Sequence, residues 1–266
     1  VIRDWFRPRP PAEQREIMIA ILVGVLVIAG VETCLRARNG ADEPVRAAST
    51  AFPPVDRPVA DIVSPAWSDE SQRDAEGEAD TVMARLGIGA GMRVADIGAG
   101  SGYYTVRLAR RVAPGGHVYA EDIVPTYLAA LSARVRDSAF TNVDVIHGVP
   151  DDPRLPPGSI DLAILIHMYH EIEAPFALLE HLYPAFAGGR PGRVAIVDMD
   201  RPTNYHGTPP AVLKCELAAV GYRETRVTPL ATGYLAEFVA PATAESLPTA
   251  AMVRARLGKT GCLTTP

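Results

Sequence analysis

A run of five residues, Gly98-Ala99-Gly100-Ser101-Gly102, does most to restrict what this chain can fold into. It follows a short apolar stretch, Arg93-Val94-Ala95-Asp96-Ile97, that reads as a buried strand. It precedes Tyr103 to Val112, where Val106, Leu108, Ala109 and Val112 fall on one side of a helix. Alternate glycines let the backbone turn tightly and approach a ligand with no Cβ in the way. The free N–H groups at the helix start then face outward as an anion-binding end. A glycine run alone is weak evidence, but strand, turn and helix in this order make a phosphate- or nucleotide-type binding turn the expected structure.

The rest of the chain fits that unit. Strands are expected at Val118–Ala120, Val143–Ile146, Leu162–Ile166 and Arg193–Val197, with helices over Tyr127–Val135 and Phe176–Phe186 between them. Leu162 to Ile166 is continuously apolar, as a strand covered on both faces should be. A further helix should open at Thr208-Pro209, with Thr208 as N-cap and Pro209 in the first turn. Two last strands, around Arg226–Leu230 and Tyr234–Val239, are joined by Ala231-Thr232-Gly233. Alternation of this kind predicts an α/β fold: a doubly wound, Rossmann-like, seven-stranded sheet closed by a C-terminal antiparallel hairpin.

The spacing of the loop separates two ligands. A dinucleotide fingerprint is G-x-G-x-x-G, whereas this chain has G-x-G-x-G with Asp96 two residues ahead. Val94-Ala95-Asp96-Ile97-Gly98-Ala99-Gly100-Ser101-Gly102 resembles the first motif of class I S-adenosylmethionine-dependent methyltransferases. The resemblance runs over roughly residues 70 to 240 and includes Gly116 to Ile123, Gly158-Ser159-Ile160-Asp161-Leu162 and Arg193 to Asp198. Trp67 to Gly77, followed by Gly91 to Val94, is similar to bacterial members of that superfamily. The resemblance implies S-adenosyl-L-methionine as cofactor. Gly98, Ala99, Gly100, Ser101 and Gly102 would cradle its methionyl end, with Asp96 orienting the loop and facing the cofactor's amino group. Asp122, or less favourably Glu121, would grip the two ribose hydroxyls, because one carboxylate can accept two hydrogen bonds. An acid after the third strand would meet the adenine amino group. Here Gly148-Val149-Pro150-Asp151-Asp152 departs from the family's Gly-Asp, so Asp151 and Asp152 both stand, Asp152 preferred. His167 belongs with the same cofactor-binding set.

The fourth strand ends in Ile166-His167-Met168-Tyr169-His170-Glu171, at the edge where a doubly wound sheet places its ligands. His170 and Glu171 are the candidate catalytic residues, as proton acceptors in an acceptor pocket; structural hydrogen bonding at a strand end competes with that role. A metal site is not expected, because His167 and His170 lack the H-E-x-x-H spacing and no cysteine lies near. Tyr103, Tyr104, Asp198, Asp200 and His206 are further residues able to face the pocket, and Trp67 and Arg73 sit in a segment able to fold over it. No Asn/Asp-Pro-Pro-Tyr follows the fourth strand and no Pro-Cys nucleophile exists, which argues against methylation of nucleic-acid bases. A formal charge of −5, from 26 basic and 31 acidic residues, also argues against a broad phosphate-contacting surface.

The ends differ in composition. Ile17 to Leu35 is apolar apart from Glu32 and would make a helix of roughly 28 Å, enough for the hydrocarbon core of a bilayer. A membrane anchor is the favoured reading. A signal peptide cleaved near Val27-Ile28-Ala29 and a buried helix are the others, and arginines on both sides leave the orientation open. The expected organisation is therefore an N-terminal segment over 1–38 with a transmembrane helix at 17–35, a linker over 39–65, a methyltransferase domain over 66–240 and a flexible tail over 241–266. Cys34, Cys215 and Cys262 are far apart and odd in number, so no disulfide framework is expected and a reducing compartment suits them. Together these features predict methyl transfer to a small-molecule acceptor, lipid- or quinone-like if the anchor selects it, with the domain on the cytoplasmic side where the cofactor is made. The alternatives are an exported domain, a non-catalytic member of the fold, and a nicotinamide-dependent oxidoreductase.

Overall fold

The computed structural model describes residues 52–62, 70–186, 188, 191–258 and 261–262. The expected transmembrane helix at 17–35, most of the linker and Trp67 lie outside the described residues. No helix among the described residues is long and apolar enough to cross a membrane.

The chain enters through α1 (Glu70–Glu76) and α2 (Glu78–Arg85), then alternates. β1 (Arg93–Ile97), α3 (Tyr103–Val112), β2 (His117–Asp122), α4 (Pro125–Asp137) and β3 (Val143–His147) build one half. β4 (Leu162–Ile166), α5 (Pro175–Leu182) and β5 (Arg193–Asp198) build the other, followed by α6 (Pro210–Ala219), β6 (Arg223–Pro229), β7 (Tyr234–Val239) and α7 (Ala250–Leu257). The strands form one sheet in the order β3-β2-β1-β4-β5-β7-β6. β1 to β5 are parallel, and β7 runs antiparallel to both β5 and β6. The expected doubly wound sheet with a final hairpin is the observed one.

Side-chain alternation along each strand supplies two cores. Val94, Leu162, Ile164, Ala195 and Val197 point to one face, where Val82, Met83, Leu108 and Val112 of α2 and α3 cover them. Ala95, Ile97, Ala163, Leu165 and Ile196 point to the other, under Phe176, Leu179, Leu213 and Leu217 of α5 and α6. From β1 the chain winds out to β3 and then returns to place β4 on β1's other side. The order reverses between β1 and β4, so the loops leaving their carboxyl ends part and open a crevice.

Four expectations need correction. The helix foreseen over Phe176–Phe186 stops at Leu182 and becomes a 3₁₀ turn at Tyr183–Ala185, because Pro184 has no N–H to continue it. The helix foreseen from Pro209 starts at Pro210 with Pro209 as its cap; the Thr208 hydroxyl instead donates to Asp198 Oδ2 at 2.8 Å. The linker expected up to residue 65 packs on the domain from Phe52 to Ile62. There the Arg57 guanidinium is buried and donates to Glu216 Oε1 at 2.7 Å and to the carbonyls of Tyr169 and Ile172. The tail expected to be flexible docks too: Val253 of α7 is fully buried, and Cys262 forms a disulfide with Cys215. Separation in sequence hid that pair, whose Cα atoms come within 5.6 Å once α6 and the tail meet.

Candidate active site

The loop after β1 takes the shape that its composition requires. Gly98, Gly100 and Gly102 all lie in the left-handed region, at φ 68°, 57° and 89°. A Cβ on Gly98 would sit 2.9 Å from the Met168 side chain, and one on Gly102 would sit 2.6 Å from Leu131. The first glycine thus keeps the two switch-point loops in contact, and the last lets α3 approach α4. Asp96 lies beneath the turn, fully buried, accepting from the Thr105 hydroxyl at 2.7 Å. Burial raises its carboxyl to about 6, with Thr105 opposing part of the rise.

Two carboxylates at the end of β2 face the loop from the next strand. Asp122 Oδ2 accepts from the Gly100 amide and Oδ1 from the Val124 amide, each at 2.8 Å. Burial still raises its pKa, against the pull of those amides. Glu121 is more deeply enclosed, beside Gly98 and Gly148. Burial, then the neighbouring Asp122 charge, lift it to about 8, so near neutral pH it holds a proton.

At the end of β4 the backbone passes through His167 at φ 55°, a conformation uncommon outside glycine and held here by its surroundings. The His167 ring pairs with Glu78 Oε2 at 2.8 Å. Burial alone would raise the Glu78 carboxyl, but His167 and Arg73 outweigh it and hold the group at about 2. A 3₁₀ turn, Tyr169–Glu171, then presents His170. Its Nδ1 lies 3.1 Å from both oxygens of Asp198, the last residue of β5. Asp198 is fully buried and already accepts from the Met199 amide and the Thr208 hydroxyl. It is therefore an acceptor toward His170 as well, which fixes the imidazole proton on Nδ1 and leaves the Nε2 lone pair on the other side. The His206 ring meets His170 edge-on, centroids 5.4 Å apart.

All of these loops border one cavity of about 640 Å³. Gly98 to Ser101, Glu121 and Asp122 line one side, and His167, Met168, His170, Glu171 and His206 line the other. Val59 to Ile62 and residues of α1 cover it. The cover is fastened by charge: Glu70 to Arg134 at 2.6 Å, Arg73 to Glu78 at 2.8 Å, and the Arg73 guanidinium 4.0 Å above the Tyr103 ring.

Among the expected site residues, Gly98, Ala99, Gly100, Ser101, Glu121, Asp122, His167, His170 and Glu171 are brought together. Asp96 and Gly102 are not in the lining and shape the loop from behind. Asp151 and Asp152 are also outside it. The Asp151 carbonyl accepts from His181 Nδ1 at 2.6 Å, Asp152 Oδ1 accepts from the Arg154 amide, and Val149 and Pro150 line the cavity instead. The proline-containing turn is closed by the Val149 and Asp152 backbones, and its Val149 and Pro150 lie nearer the cavity than either acid. Sequence reasoning missed Val59 to Ile62, Glu78 and the Asp198–His170 pair. Apolar strand length announced where Asp198 would stand, but its partner comes from 28 residues earlier and no local spacing links them.

The fold, the glycine turn and the acids at the end of β2 define a Rossmann-like domain that binds a nucleoside-bearing cofactor at its switch point. Residues 94–189 match the family described as a methyltransferase domain. The chain is 25% identical over 124 residues to a demethylmenaquinone methyltransferase of Geobacillus sp. (strain WCH70), covering 47% of this chain and 52% of that protein. It is 32% identical over 63 residues to a protein-L-isoaspartate O-methyltransferase of Methanothrix thermoacetophila, covering 24% and 30%. The chain thus spans about half the length, or less, of these curated relatives. Among solved structures it is similar to a SAM-dependent methyltransferase from Aquifex aeolicus, with TM-score 0.56, 22% identity, and coverage of 65% of this chain and 98% of that one. An S-adenosylmethionine-dependent methyltransferase from Mesorhizobium loti gives TM-score 0.52 at 16% identity, with 63% and 99% covered. Residues 94–189 are thus a methyltransferase domain of the S-adenosylmethionine-dependent kind. The methyl donor of that class is S-adenosyl-L-methionine.

Proposed function

We propose that this chain transfers a methyl group from S-adenosyl-L-methionine to a small-molecule acceptor bound beside His170 and Glu171. One observation carries the reading: the glycine turn, the β2 acids and His170, held from behind by Asp198, meet at a single cavity. The residues present fit the donor. Gly98 and Gly100 leave backbone open to it with no Cβ, and the Asp122 carboxylate, held by the amides of Gly100, Ile123 and Val124, borders the cavity with acceptor capacity left for a ribose hydroxyl. When bound, the donor supplies a sulfonium whose methyl carbon is intrinsically electrophilic. The chain's own contribution is then placement: the turn holds the donor, while Val59 to Ile62 and α1 line the cavity and narrow its access to solvent. Where the acceptor has a proton to lose, His170 Nε2, turned away from Asp198 and toward the cavity side, is placed to take it.

The demethylmenaquinone methyltransferases among the relatives support a small-molecule acceptor. A membrane anchor over 17–35, with the domain on the cytoplasmic side, would favour a lipid- or quinone-like one. Calorimetry with S-adenosylhomocysteine and with NAD tests the donor: binding of the first and not the second is expected, and the reverse would return the chain to nicotinamide chemistry. Radiolabelled methyl transfer to a cell extract tests turnover. His170→Ala should lower that rate far more than it weakens S-adenosylhomocysteine binding, and unchanged transfer would remove His170 from the reaction.

A further inference from the structure

We infer that His170, Glu171 and His206 form a binding site for a first-row divalent cation, of the zinc or iron kind, at the acceptor end of the cavity. One donor atom from each residue lies within 4.8 Å of the other two, and His170 Nε2 is 3.9 Å from Glu171 Oε1. Two imidazole nitrogens and one carboxylate suit such ions and leave further positions open, whereas calcium and magnesium ask for oxygen throughout.

The outer contacts point the same way. A ligating histidine commonly gives its other ring N–H to a carboxylate, which fixes the ring and makes the free nitrogen a better donor. His170 has that contact: Asp198 is 3.1 Å from Nδ1 and is itself held by the Met199 amide and the Thr208 hydroxyl, each at 2.8 Å. His206 is held by its backbone. It sits in the left-handed region at φ 57°, its amide donating to the Thr203 carbonyl and its carbonyl accepting from Arg201 Nε. The donors come from the loops after β4 and β5, which the sheet order brings to one edge. Tetrahedral zinc sets neighbouring donors about 3.3 Å apart. Glu171 and His206, half-buried and lining the cavity, must therefore draw in by roughly 0.6 to 1.5 Å while His170 stays fixed.

The consequence for chemistry rests on the proposed function. A cation in this place would take an acceptor hydroxyl into an open position and lower its pKa, so that its proton passes to solvent water as it binds; the bound oxyanion would then form the new bond to the donor's methyl carbon while the sulfonium C–S bond breaks and S-adenosylhomocysteine leaves. His170 Nε2 would then be a ligand and not the proton acceptor. Acceptors of catechol, enediol or hydroxyquinone type carry such oxygens.

The test uses the full chain, stripped with a chelator and titrated with Zn2+ by calorimetry and with Co2+ by visible absorption. Expected are one ion per chain with a dissociation constant below about 1 μM and a cobalt ligand-field spectrum. His206→Asn, a residue that tolerates left-handed backbone, and Glu171→Gln should each weaken binding at least tenfold. His117→Ala, whose ring pairs with Asp144 elsewhere, should leave it unchanged. Absence of stoichiometric uptake, or uptake unaltered in a natively folded His206→Asn protein, overturns the site. S-adenosylhomocysteine binding on the same samples separates the two proposals. Donor binding without metal sinks the cation site alone, and metal binding without donor sinks the methyltransferase reading alone.

Discussion

Adjacent acids at the end of β2 differ in what surrounds them, and the difference assigns them separate duties. Asp122 is fixed by the amides of Gly100 and Val124 and faces the cavity. If it holds the ribose, Asp122→Ala should weaken S-adenosylhomocysteine binding by about 1.5–3 kcal/mol for each charge-assisted bond lost. Calorimetry showing a larger loss in Glu121→Ala would move that contact to Glu121. Glu121 instead governs a pH dependence of stability. Burial and Asp122 raise it to about 8 in the folded chain, while in an unfolded chain a glutamate titrates near ~4.3. Between those values the folded state holds a proton that the unfolded state has released, so stability falls as pH rises through this window. Glu121→Gln should flatten the slope, seen as denaturation midpoints at pH 5 and pH 8 that lie closer together than in the parent protein. The identity of these two residues was legible in the sequence; their unequal enclosure was not, since it depends on Gly148 and Gly98 closing over Glu121.

Elements were legible where period and punctuation agreed. β4 was visible as five apolar residues, and α3 as an apolar side following a glycine, and both stand at the expected bounds. The segment 52–62 gave no such signal, since it has neither helical nor strand period. Long-range bonds hold it, among them the Ala60 amide to the His170 carbonyl and the Thr203 hydroxyl to the Pro58 carbonyl, and one of them is a buried ion pair: Arg57 reaches Glu216 of α6, whose Oε2 also accepts from the Tyr169 hydroxyl at 2.9 Å. Both charges are almost wholly removed from water. Breaking such a pair leaves an uncompensated buried charge, so Arg57→Ala should cost roughly 3–5 kcal/mol of stability. The double change Arg57→Leu with Glu216→Leu should recover much of that loss, as no charge is then stranded. Chemical denaturation of the three proteins decides it. Equal stability of Arg57→Ala and the parent would show that residues 52–62 are not held by this pair. The same segment supplies Val59 to Ile62 to the cavity, so Arg57→Ala should also weaken S-adenosylhomocysteine binding in the fraction that remains folded.

At the scale of the whole molecule, the domain is longer at both ends than composition suggested, and the two extensions meet at α6, where Gly261 lies against Asp56. Arg57 clamps Glu216, and Cys262 is bonded to Cys215, the preceding residue. α7 docks beside them, with Val253 in the core and Arg256 donating to the Ala218 and Ala219 carbonyls at the end of α6. Composition could not foretell this, because a tail rich in Ala, Thr and Pro buries only a few side chains and is held by contacts far along the chain. The crosslink closes a span of 47 residues, which in the chain-entropy account limits the unfolded ensemble by about 4 kcal/mol at most. Reduction should therefore lower the melting temperature by several degrees while leaving S-adenosylhomocysteine affinity unaltered, since neither cysteine borders the cavity. The Cys215→Ser, Cys262→Ser chain should match the reduced protein. A shift in donor affinity on reduction would show that the tail bears on the site. The bond also speaks to the proposed topology, because structural disulfides persist in oxidising compartments and a cytoplasmic domain would hold these thiols reduced. Alkylation of protein taken directly from cells, read by mass spectrometry, should find Cys215 and Cys262 free if the domain faces the cytoplasm. Finding them paired would place the domain on the other side of the membrane and require the methyl donor to reach it there.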